Sequence, residues 1–233
     1  MKITAFNGSP RGERGNTHVM IEAFMEGAAK AGAEVENIPL VKKNIKHCMG
    51  CFSCWTKTPG KCVIKDDMAD LLERYIKSDI VIYATPLYVD YVTGIMKDFM
   101  DRKIPIVCPE FEKDKTGETR HKKRYGKYPS IIMMSNCGFP EAGQFEVLRI
   151  FCERMARNSK AKVIAQIYRS QGGLLKEEDP DIKPLIEKYK DLLRKAGEET
   201  VKNGRLSPET KDALERPIIP EDEYAREVNQ SWK

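Results

Sequence analysis

The chain has 233 residues, of which 41% are hydrophobic and 32% are charged; these values are typical of a folded globular protein and exclude a disordered or fibrous one. Its 40 basic and 35 acidic residues leave a net charge of +5, so no nucleic-acid partner is indicated. The sequence contains no run of about eighteen apolar residues that could span a bilayer. We therefore expect a cytoplasmic protein with no membrane partner.

Short apolar runs alternate with segments of helical spacing along most of the chain. The runs predict strands at 2–7, 33–40, 79–84, 130–135 and 162–168, and the spacing predicts helices that begin at 17 and 66 and others at 94–102, 144–158 and 182–203. The strands at 79–84 and 130–135 have no polar face, as parallel strands covered on both sides require. Because parallel neighbours need crossover connections, we predict an α/β fold with a doubly wound five-stranded parallel sheet and helices on both faces.

Three segments lie outside this alternation. We assign one domain to residues 1–205, which includes a cysteine-rich loop at 47–63 and a polar insertion at 109–127. The insertion is rich in Lys and Arg, and we expect a solvated, mobile loop there. The third segment is a C-terminal tail at 206–233.

The tail combines a helix start with a proline-flanked apolar pair. Ser207-Pro208-Glu209 predicts a capped helix N-terminus. The prolines around Ile218 and Ile219 then predict an extended arm that ends in a charged stretch with Tyr224 and Trp232. Apolar residues on such an arm need a surface, and a sister subunit is a natural one. A disordered terminus is the alternative.

A loop of glycines, hydroxyls and arginines follows the first predicted strand, with the sequence GSPRGERGNT at 8–17. At a helix N-terminus, such a loop brings free backbone N–H groups, the helix dipole and a cation to one point, which is suited to an anion. A hydrophilic turn with Asn16 or Thr17 as the N-cap is the alternative. Ligands in open α/β sheets collect beyond the carboxyl ends of strands, so the position of this loop favours phosphate binding.

Three segments together resemble the NAD(P)H-dependent FMN reductase family. They are GSPR at 8–11 with Asn16-Thr17, TPLY at 85–88, and KDFMDR at 97–102. The likeness covers roughly residues 1–200 and implies a flavodoxin-like fold and an FMN-dependent oxidoreductase. In such an enzyme the cofactor carries out the redox chemistry, so no catalytic acid or base is assigned.

The resemblance also implies which loops would hold FMN. The first would bind the phosphate, the second would lie along the isoalloxazine ring, and a third would follow the fourth strand. The residues are Ser9, Pro10, Arg11, Asn16 and Thr17 in the first loop, Pro86, Leu87, Tyr88 and Val89 in the second, and Asn136, Cys137, Gly138 and Phe139 in the third. Taken singly, Tyr88 and Asn136 also suit ordinary turns.

Four of the seven cysteines lie in the segment CMGCFSCWTKTPGKC at 48–62, a clustering that favours metal or redox chemistry over disulfides. Three thiolates at this spacing can wrap one side of a [4Fe-4S] cluster, and the fourth can close it. The ligands would be Cys48, Cys51, Cys54 and Cys62. A zinc site and redox-reactive or structural thiols are the alternatives. Cys108, Cys137 and Cys152 are expected to be small core residues.

The cysteine spacing resembles that of the iron-sulfur flavoproteins within the same family. In those proteins the cluster is expected to meet the flavin of a neighbouring subunit, which implies a homodimer or homotetramer. We expect NAD(P)H or a ferredoxin-like protein as electron donor, with a small molecule or a protein as acceptor. The basic insertion could then bind the phosphates of NAD(P)H or an acidic carrier. The alternatives are a non-enzymatic electron carrier that works with ferredoxin, a flavoprotein with reactive thiols and no cluster, and a redox-sensing protein.

Overall fold

A five-stranded parallel sheet organises the chain, for which a computed structural model describes residues 1–231. The elements are β1 (Lys2–Asn7), α1 (Asn16–Lys30), β2 (Glu34–Pro39), α2 (Ser53–Thr56), α3 (Met68–Lys77), β3 (Ile80–Pro86), α4 (Gly94–Asp101), β4 (Val107–Lys113), β5 (Thr119–Lys123), β6 (Ser130–Asn136), α5 (Glu146–Asn158), β7 (Val163–Arg169), α6 (Lys183–Asn203), α7 (Pro208–Glu215) and α8 (Glu221–Ser231). The strand order is β2-β1-β3-β6-β7, and every pair is parallel. This is the flavodoxin-like order, and the predicted fold class is confirmed. Over residues 1–231, no helix combines the length and apolar character needed to cross a membrane.

The central strands separate two apolar layers. Along β3, Val81 and Tyr83 point into a layer shared with α3, α4 and α5, whereas Ile80 and Ile82 point into a layer shared with α1 and α6. All but the last residue of β3, and all but the first of β6, are buried. Burial on both faces is why these strands lack the polar alternation of a half-exposed sheet.

Helices α1 and α6 cross with their backbones in close contact. A Cβ atom placed on Gly27 would lie 1.8 Å from the carbonyl oxygen of Arg194, and one placed on Gly197 would lie 2.0 Å from the carbonyl oxygen of Phe24. No side chain fits at either position. This crossing fixes α1, and with it the loop that precedes α1, against an element almost at the other end of the chain.

The polar insertion is a β-hairpin, and the predicted mobile loop is wrong. Strands β4 and β5 pair antiparallel around a turn in which Asp114 accepts hydrogen bonds from the backbone N–H groups of Thr116 and Glu118. Arg157 of α5 forms ion pairs with Asp114 at 3.2 Å and with Glu118 at 2.6 Å. These charges fasten the hairpin to the domain, so a composition that suggests a solvated loop here gives an ordered element.

The C-terminal segment folds back on its own chain. Ser207 caps α7 as predicted, because its Oγ accepts a hydrogen bond of 3.2 Å from the N–H of Thr210. Ile219 is buried on the domain rather than held out on an extended arm, and α8 follows it. A contact with a sister subunit stays a prediction. Trp232, at the end of the predicted arm, lies outside the described residues.

Candidate functional site

A cleft of about 530 Å³ lies at the carboxyl ends of β1, β3, β6 and β7, within the size range of roughly 300–1,000 Å³ common for small-molecule sites. It is lined by Ser9, Arg11, Gly15, Asn16, Thr17, Pro86, Leu87, Tyr88, Asn136, Cys137, Gly138, Phe139, Gly172, Gly173, Tyr224, Val228 and Ser231. The structure thus brings all the predicted FMN residues to one cleft except Pro10 and Val89. Both of these are exposed outside it.

The loop after β1 gives the cleft an anion-binding end. No side chain caps the N-terminus of α1, and the first turn of a helix leaves N–H groups without intrahelical acceptors. Arg11 is the one charged side chain among the lining residues of the described chain. The loop is also tightly packed, because a Cβ atom on Gly15 would lie 2.3 Å from the Oγ of Ser9. A cation, free donors and a helix N-terminus together favour a phosphate.

Hydrogen bonds join the three loops to each other. Asn136 donates from its Nδ2 to the Oγ1 of Thr17 at 2.8 Å, and both side chains are buried. The backbone N–H of Leu87 donates to the carbonyl oxygen of Asn136 at 2.8 Å. The hydroxyl of Thr93 donates to the carbonyl oxygen of Gly8 at 2.7 Å. The loops are therefore held in one arrangement by the protein itself.

The second loop turns back on itself beside the cleft. Tyr88 and Tyr91 exchange two backbone hydrogen bonds around Val89 and Asp90, which have φ angles of 49° and 57°. Two central residues with positive φ make a type I′ turn, and this geometry leaves Val89 97% exposed. Tyr88 itself lines the cleft, as does Phe139 of the third loop, and each is about half-exposed. Two open aromatic faces suit a flat conjugated ligand.

Two buried polar atoms lie at the strand ends outside the cleft lining. The Nδ2 of Asn7 at the end of β1 and the Oγ of Ser135 near the end of β6 have no hydrogen-bond partner among the described residues. Burial raises the pKa of Cys137, so its thiol stays protonated at neutral pH and lines the cleft as a neutral group. The residues present fit a planar aromatic group that carries a phosphate.

The lining also includes residues that the sequence did not indicate. Gly172 and Gly173 follow β7, and Tyr224, Val228 and Ser231 lie on α8. The two glycines could have been predicted as lining residues, because they follow the fifth predicted strand, whose end lies at the same sheet edge as the other loops. Nothing in the composition of the tail indicates that α8 would reach this edge.

A second, smaller recess contains all four clustered cysteines. Cys48, Cys51, Cys54 and Cys62 line it together with apolar side chains, Asp101 and Arg102. Among residues 1–231, no three His, Cys, Asp or Glu side chains are grouped closely enough to hold a metal ion. The donor set is nonetheless chemically suited to an iron–sulfur cluster, since four thiols share one recess with a buried cation. The recess therefore has the donor atoms that such a cluster requires, but its thiols are not arranged in the geometry that would bind one.

Arg102 connects the two ends of the cysteine loop. Its side chain and that of Asp66 are both fully buried and form an ion pair at 2.6 Å. Arg102 also donates to the carbonyl oxygen of Lys46 at 2.6 Å and to the Sγ of Cys62 at 3.4 Å. Burial alone would raise the pKa of Asp66, but hydrogen bonds from Arg102 and from backbone N–H groups outweigh it, so the pKa lies below its usual range.

The thiols in the recess differ in their surroundings. Hydrogen bonds from Ser53 lower the pKa of Cys51, which is exposed. Burial, together with the neighbouring Cys62, raises the pKa of Cys54. Of the three isolated cysteines, Cys137 and Cys152 are buried as predicted, whereas Cys108 lies half-buried on the hairpin. An exposed, acidified thiol and a buried, protonated one can serve either as ligands or as a reactive pair.

Sequence comparisons extend these observations. The profile of a family described as NADPH-dependent FMN reductase matches residues 1–122. An iron-sulfur flavoprotein of Archaeoglobus fulgidus is 41% identical over 141 residues, which are 60% of this chain and 58% of that protein. An iron-sulfur flavoprotein of Methanocaldococcus jannaschii is 37% identical over 106 residues, 46% of this chain and 53% of that protein. The chain spans about half the length of these curated relatives.

A structural comparison agrees on the fold. The crystal structure of an FMN-dependent NADH-azoreductase from Bacillus anthracis in complex with FMN superposes with a TM-score of 0.61. The match covers 88% of this chain and 99% of the azoreductase chain, at 14% sequence identity. At that identity the likeness shows the shared fold alone.

Proposed function

Because this chain belongs to the NADPH-dependent FMN reductase family, we propose that it is an FMN-dependent oxidoreductase that binds FMN in the cleft at the sheet edge. Its electrons would come from NAD(P)H or from a reduced ferredoxin-like carrier and pass to a small molecule or a protein. One observation carries the proposal: the loops after β1, β3 and β6 line a single cleft that has a cation and a helix N-terminus in one loop and open aromatic faces in the other two.

Each loop has its own task in this proposal. Ser9, Arg11 and the N-terminus of α1 bind the phosphate through a charge and backbone N–H groups. Tyr88 and Phe139 cover the ring and exclude water from it. FMN, when bound, supplies the chemistry, because flavin takes up electrons singly or in pairs and passes them on. The chain needs no side chain for proton transfer in this scheme, so its contribution is binding, orientation and shielding.

An FMN titration tests the proposal. We expect the flavin-free chain to bind FMN in a 1:1 ratio with quenched flavin fluorescence, and Arg11→Ala to weaken binding because the phosphate loses its cation. Arg226→Ala, on an exposed part of α8 outside the cleft lining, is the control with unchanged binding. Failure of the wild-type chain to bind FMN would refute the proposal.

The electron donor separates an enzyme from a carrier. Rapid anaerobic loss of the flavin absorbance on addition of NADPH or NADH is expected for a reductase. Reduction by reduced ferredoxin alone, with no response to either nicotinamide, would instead establish the non-enzymatic carrier. Negligible turnover with every donor, together with thiol-dependent binding of a partner, would indicate the redox-sensing alternative.

We further propose that Cys48, Cys51, Cys54 and Cys62 hold a [4Fe-4S] cluster. Their common recess, the soft chemistry of four thiols and the hydrogen bond from Arg102 to the Sγ of Cys62 support this. The related proteins from Archaeoglobus fulgidus and Methanocaldococcus jannaschii are named iron-sulfur flavoproteins, which supports it further. The cysteine side chains would have to rotate toward each other to bind a cluster, since no preformed metal group exists among residues 1–231.

Metal analysis of anaerobically purified protein tests the cluster. We expect about four iron and four sulfide per chain, with Cys62→Ser losing most of both. Cys108→Ser is the matched control, because Cys108 lies on the hairpin outside the recess. Flavin without iron would leave the thiols as the redox groups, and zinc in place of iron would make the recess a structural zinc site.

We propose a homodimer or homotetramer as the assembly. Val147, Ile150 and Phe139 are each at least half-exposed, and large apolar side chains on a surface favour association. Sedimentation equilibrium is expected to give two or four chains per particle. A monomer at micromolar concentration would refute this part of the proposal and leave the cleft assignment intact.

A further inference from the structure

We propose that α8 is part of the FMN site, and that Arg169 and Gln171 position it there. In this proposal the two residues hold the C-terminal segment against the end of β7, so that Tyr224 and Val228 form a wall of the cleft and retain the bound cofactor. The inference rests on the proposed function of the cleft. It adds a part of the chain that the matched profile, residues 1–122, does not reach.

Arg169 is the first of the two anchors. It ends β7, is fully buried, and donates hydrogen bonds to the carbonyl oxygens of Leu214 and, at 2.8 Å, of Arg216. These carbonyls lie at the C-terminus of α7, where the helix dipole favours a cation. The guanidinium also lies 4.4 Å above the ring of Tyr189. A buried arginine without a carboxylate partner is costly, so these carbonyls are needed to hold it.

Gln171 is the second anchor, and its side-chain amide makes three hydrogen bonds with the tail. Its Oε1 accepts hydrogen bonds from the N–H groups of Ile218 at 2.8 Å and Ile219 at 3.2 Å, and its Nε2 donates to the carbonyl oxygen of Ile219 at 2.8 Å. The residue is fully buried and has a φ of 54°, a left-handed conformation rare for a side chain of this kind. Three bonds from one side chain fix both the position and the direction of the tail.

The anchored tail then directs α8 onto the cleft. Ile219 and Tyr224 are buried with Leu174 and Ile186 in a small apolar cluster separate from the two main layers. The hydroxyl of Tyr224 packs on Gly173, where an added Cβ atom would lie 3.1 Å from it. Gly173 and Tyr224 both line the cleft. The wall is thus continuous from the turn after β7 to the helix.

The same turn is hydrogen-bonded to the loop after β1 (residues 8–15), which we call the phosphate loop. Lys176 donates from its Nζ to the carbonyl oxygen of Arg14 at 2.8 Å. The tail, the turn after β7 and the loop after β1 therefore form one connected surface around the cleft. A ligand that contacts this surface stabilises the tail, and by linkage a tail that is held in place strengthens the binding of the ligand.

Two substitutions test the wall. Tyr224→Ala, which removes the ring, is expected to raise the Kd for FMN about tenfold, and Gln171→Leu, which releases the tail, to do the same. Tyr224→Phe keeps the ring and is expected to stay within about twofold of wild type. Glu227→Ala, exposed on the same helix and outside the lining, is the matched control. The readout is flavin fluorescence, which does not depend on turnover.

Hydrogen exchange of the wild-type chain tests the linkage without any substitution. FMN is expected to slow amide exchange in residues 217–231 at least fivefold relative to the flavin-free chain, whereas α3, which does not line the cleft, is expected to respond little. Unchanged exchange in the tail would overturn the inference even if the variants fail to fold. So would wild-type affinity in both Tyr224→Ala and Gln171→Leu. If the wild-type chain binds no FMN, the proposed function fails; if it binds FMN and the tail does not respond, only the wall fails.

Discussion

The cleft and the cysteine recess are built in opposite ways. The cleft takes its lining from the ends of four strands, whose relative positions are set by sheet pairing along their whole length. The recess takes its cysteines from one loop, and the ends of that loop meet at the Arg102–Asp66 pair. Pairing along whole strands therefore holds the first site, whereas a buried ion pair and a few side-chain hydrogen bonds, such as those of Trp55 to the carbonyl oxygens of Ile104 and Val107, hold the second. A single substitution should consequently harm the two sites to very different extents.

The largest effect is expected at the buried ion pair beside the recess. Arg102→Leu leaves Asp66 buried and without its partner, and breaking a buried ion pair in this way costs about 3–5 kcal/mol. We expect that loss in the free energy of unfolding in urea, together with faster labelling of Cys54 and Cys62 by a thiol reagent. A loss below about 1 kcal/mol, typical of exposed pairs, would break the comparison.

Acid should weaken the same pair. The pKa of Asp66 is lowered in the folded chain, so the carboxylate contributes stability at pH values above its unfolded pKa of about 3.9. That contribution is lost as the pH falls through the lower, folded value. Asp66→Asn is expected to be less stable than wild type at neutral pH and to lose less stability on acidification, as measured by urea unfolding at several pH values.

Lys103, next to Arg102, is a buried cation that has no carboxylate partner among residues 1–231. Its Nζ donates to the hydroxyl of Tyr83 and lies over the rings of Tyr75 and Tyr83, and burial lowers its pKa to about 7. Between about pH 7 and pH 10, Lys103 is protonated in the unfolded chain but neutral in the folded chain. The free energy of unfolding therefore rises with pH over this range. Lys103→Met is expected to flatten this rise. At pH 6 its free energy of unfolding is expected to exceed that of the wild type by on the order of 2 kcal/mol. Equal slopes for the two proteins would contradict this.

A steric change in the cleft tests the other side of the comparison. Gly15→Ala places a methyl group 2.3 Å from the Oγ of Ser9 and is expected to displace the phosphate loop. Since the remaining loops keep their places, we expect the Kd for FMN to rise about tenfold and no more than about 1 kcal/mol of stability to be lost. Gly143→Ala, with open space around the new methyl group, is the matched control. Loss of folding in Gly15→Ala would show that the cleft depends on one residue.

The smallest effect is expected at an exposed pair on the helix that precedes Arg102. Lys97 and Asp101 form an ion pair at 2.6 Å, four residues apart on α4, with both side chains nearly half-exposed. Such pairs contribute about 0.3–0.5 kcal/mol. Lys97→Ala is expected to change the free energy of unfolding, measured in urea, by no more than that, which would sharpen the contrast with Arg102→Leu.

The sequence was most informative where the sheet decides the outcome. Buried strands such as Ile80–Pro86 and Ser130–Asn136 are apolar on both faces, so their positions could be read within one or two residues. Parallel strands bring their carboxyl ends to one edge, and for this reason three distant loops could be assigned to one cleft. Val89 was wrongly assigned to the cleft, because the turn that contains it directs its side chain away from the cleft.

Features that depend on tertiary contacts could not be read in advance. The hairpin of Val107–Lys113 and Thr119–Lys123 carries many charges, and the ion pairs with Arg157 that hold it are invisible in the composition. The return of the tail depends on the buried side chains of Arg169, which ends β7, and Gln171, which follows it. In both cases the segment is held by a partner more than 35 residues away in the chain, and the local sequence does not indicate that partner.

The close crossing of α1 and α6 has a consequence for synthesis. The loop after β1 leaves the ribosome well before α6, so the glycine surface of α1 meets its partner only when residues near 197 have emerged. A nascent chain therefore carries this loop without the helix that braces it until α6 has been made. Binding of a ligand at this loop should accordingly follow the synthesis of α6 and not guide early folding.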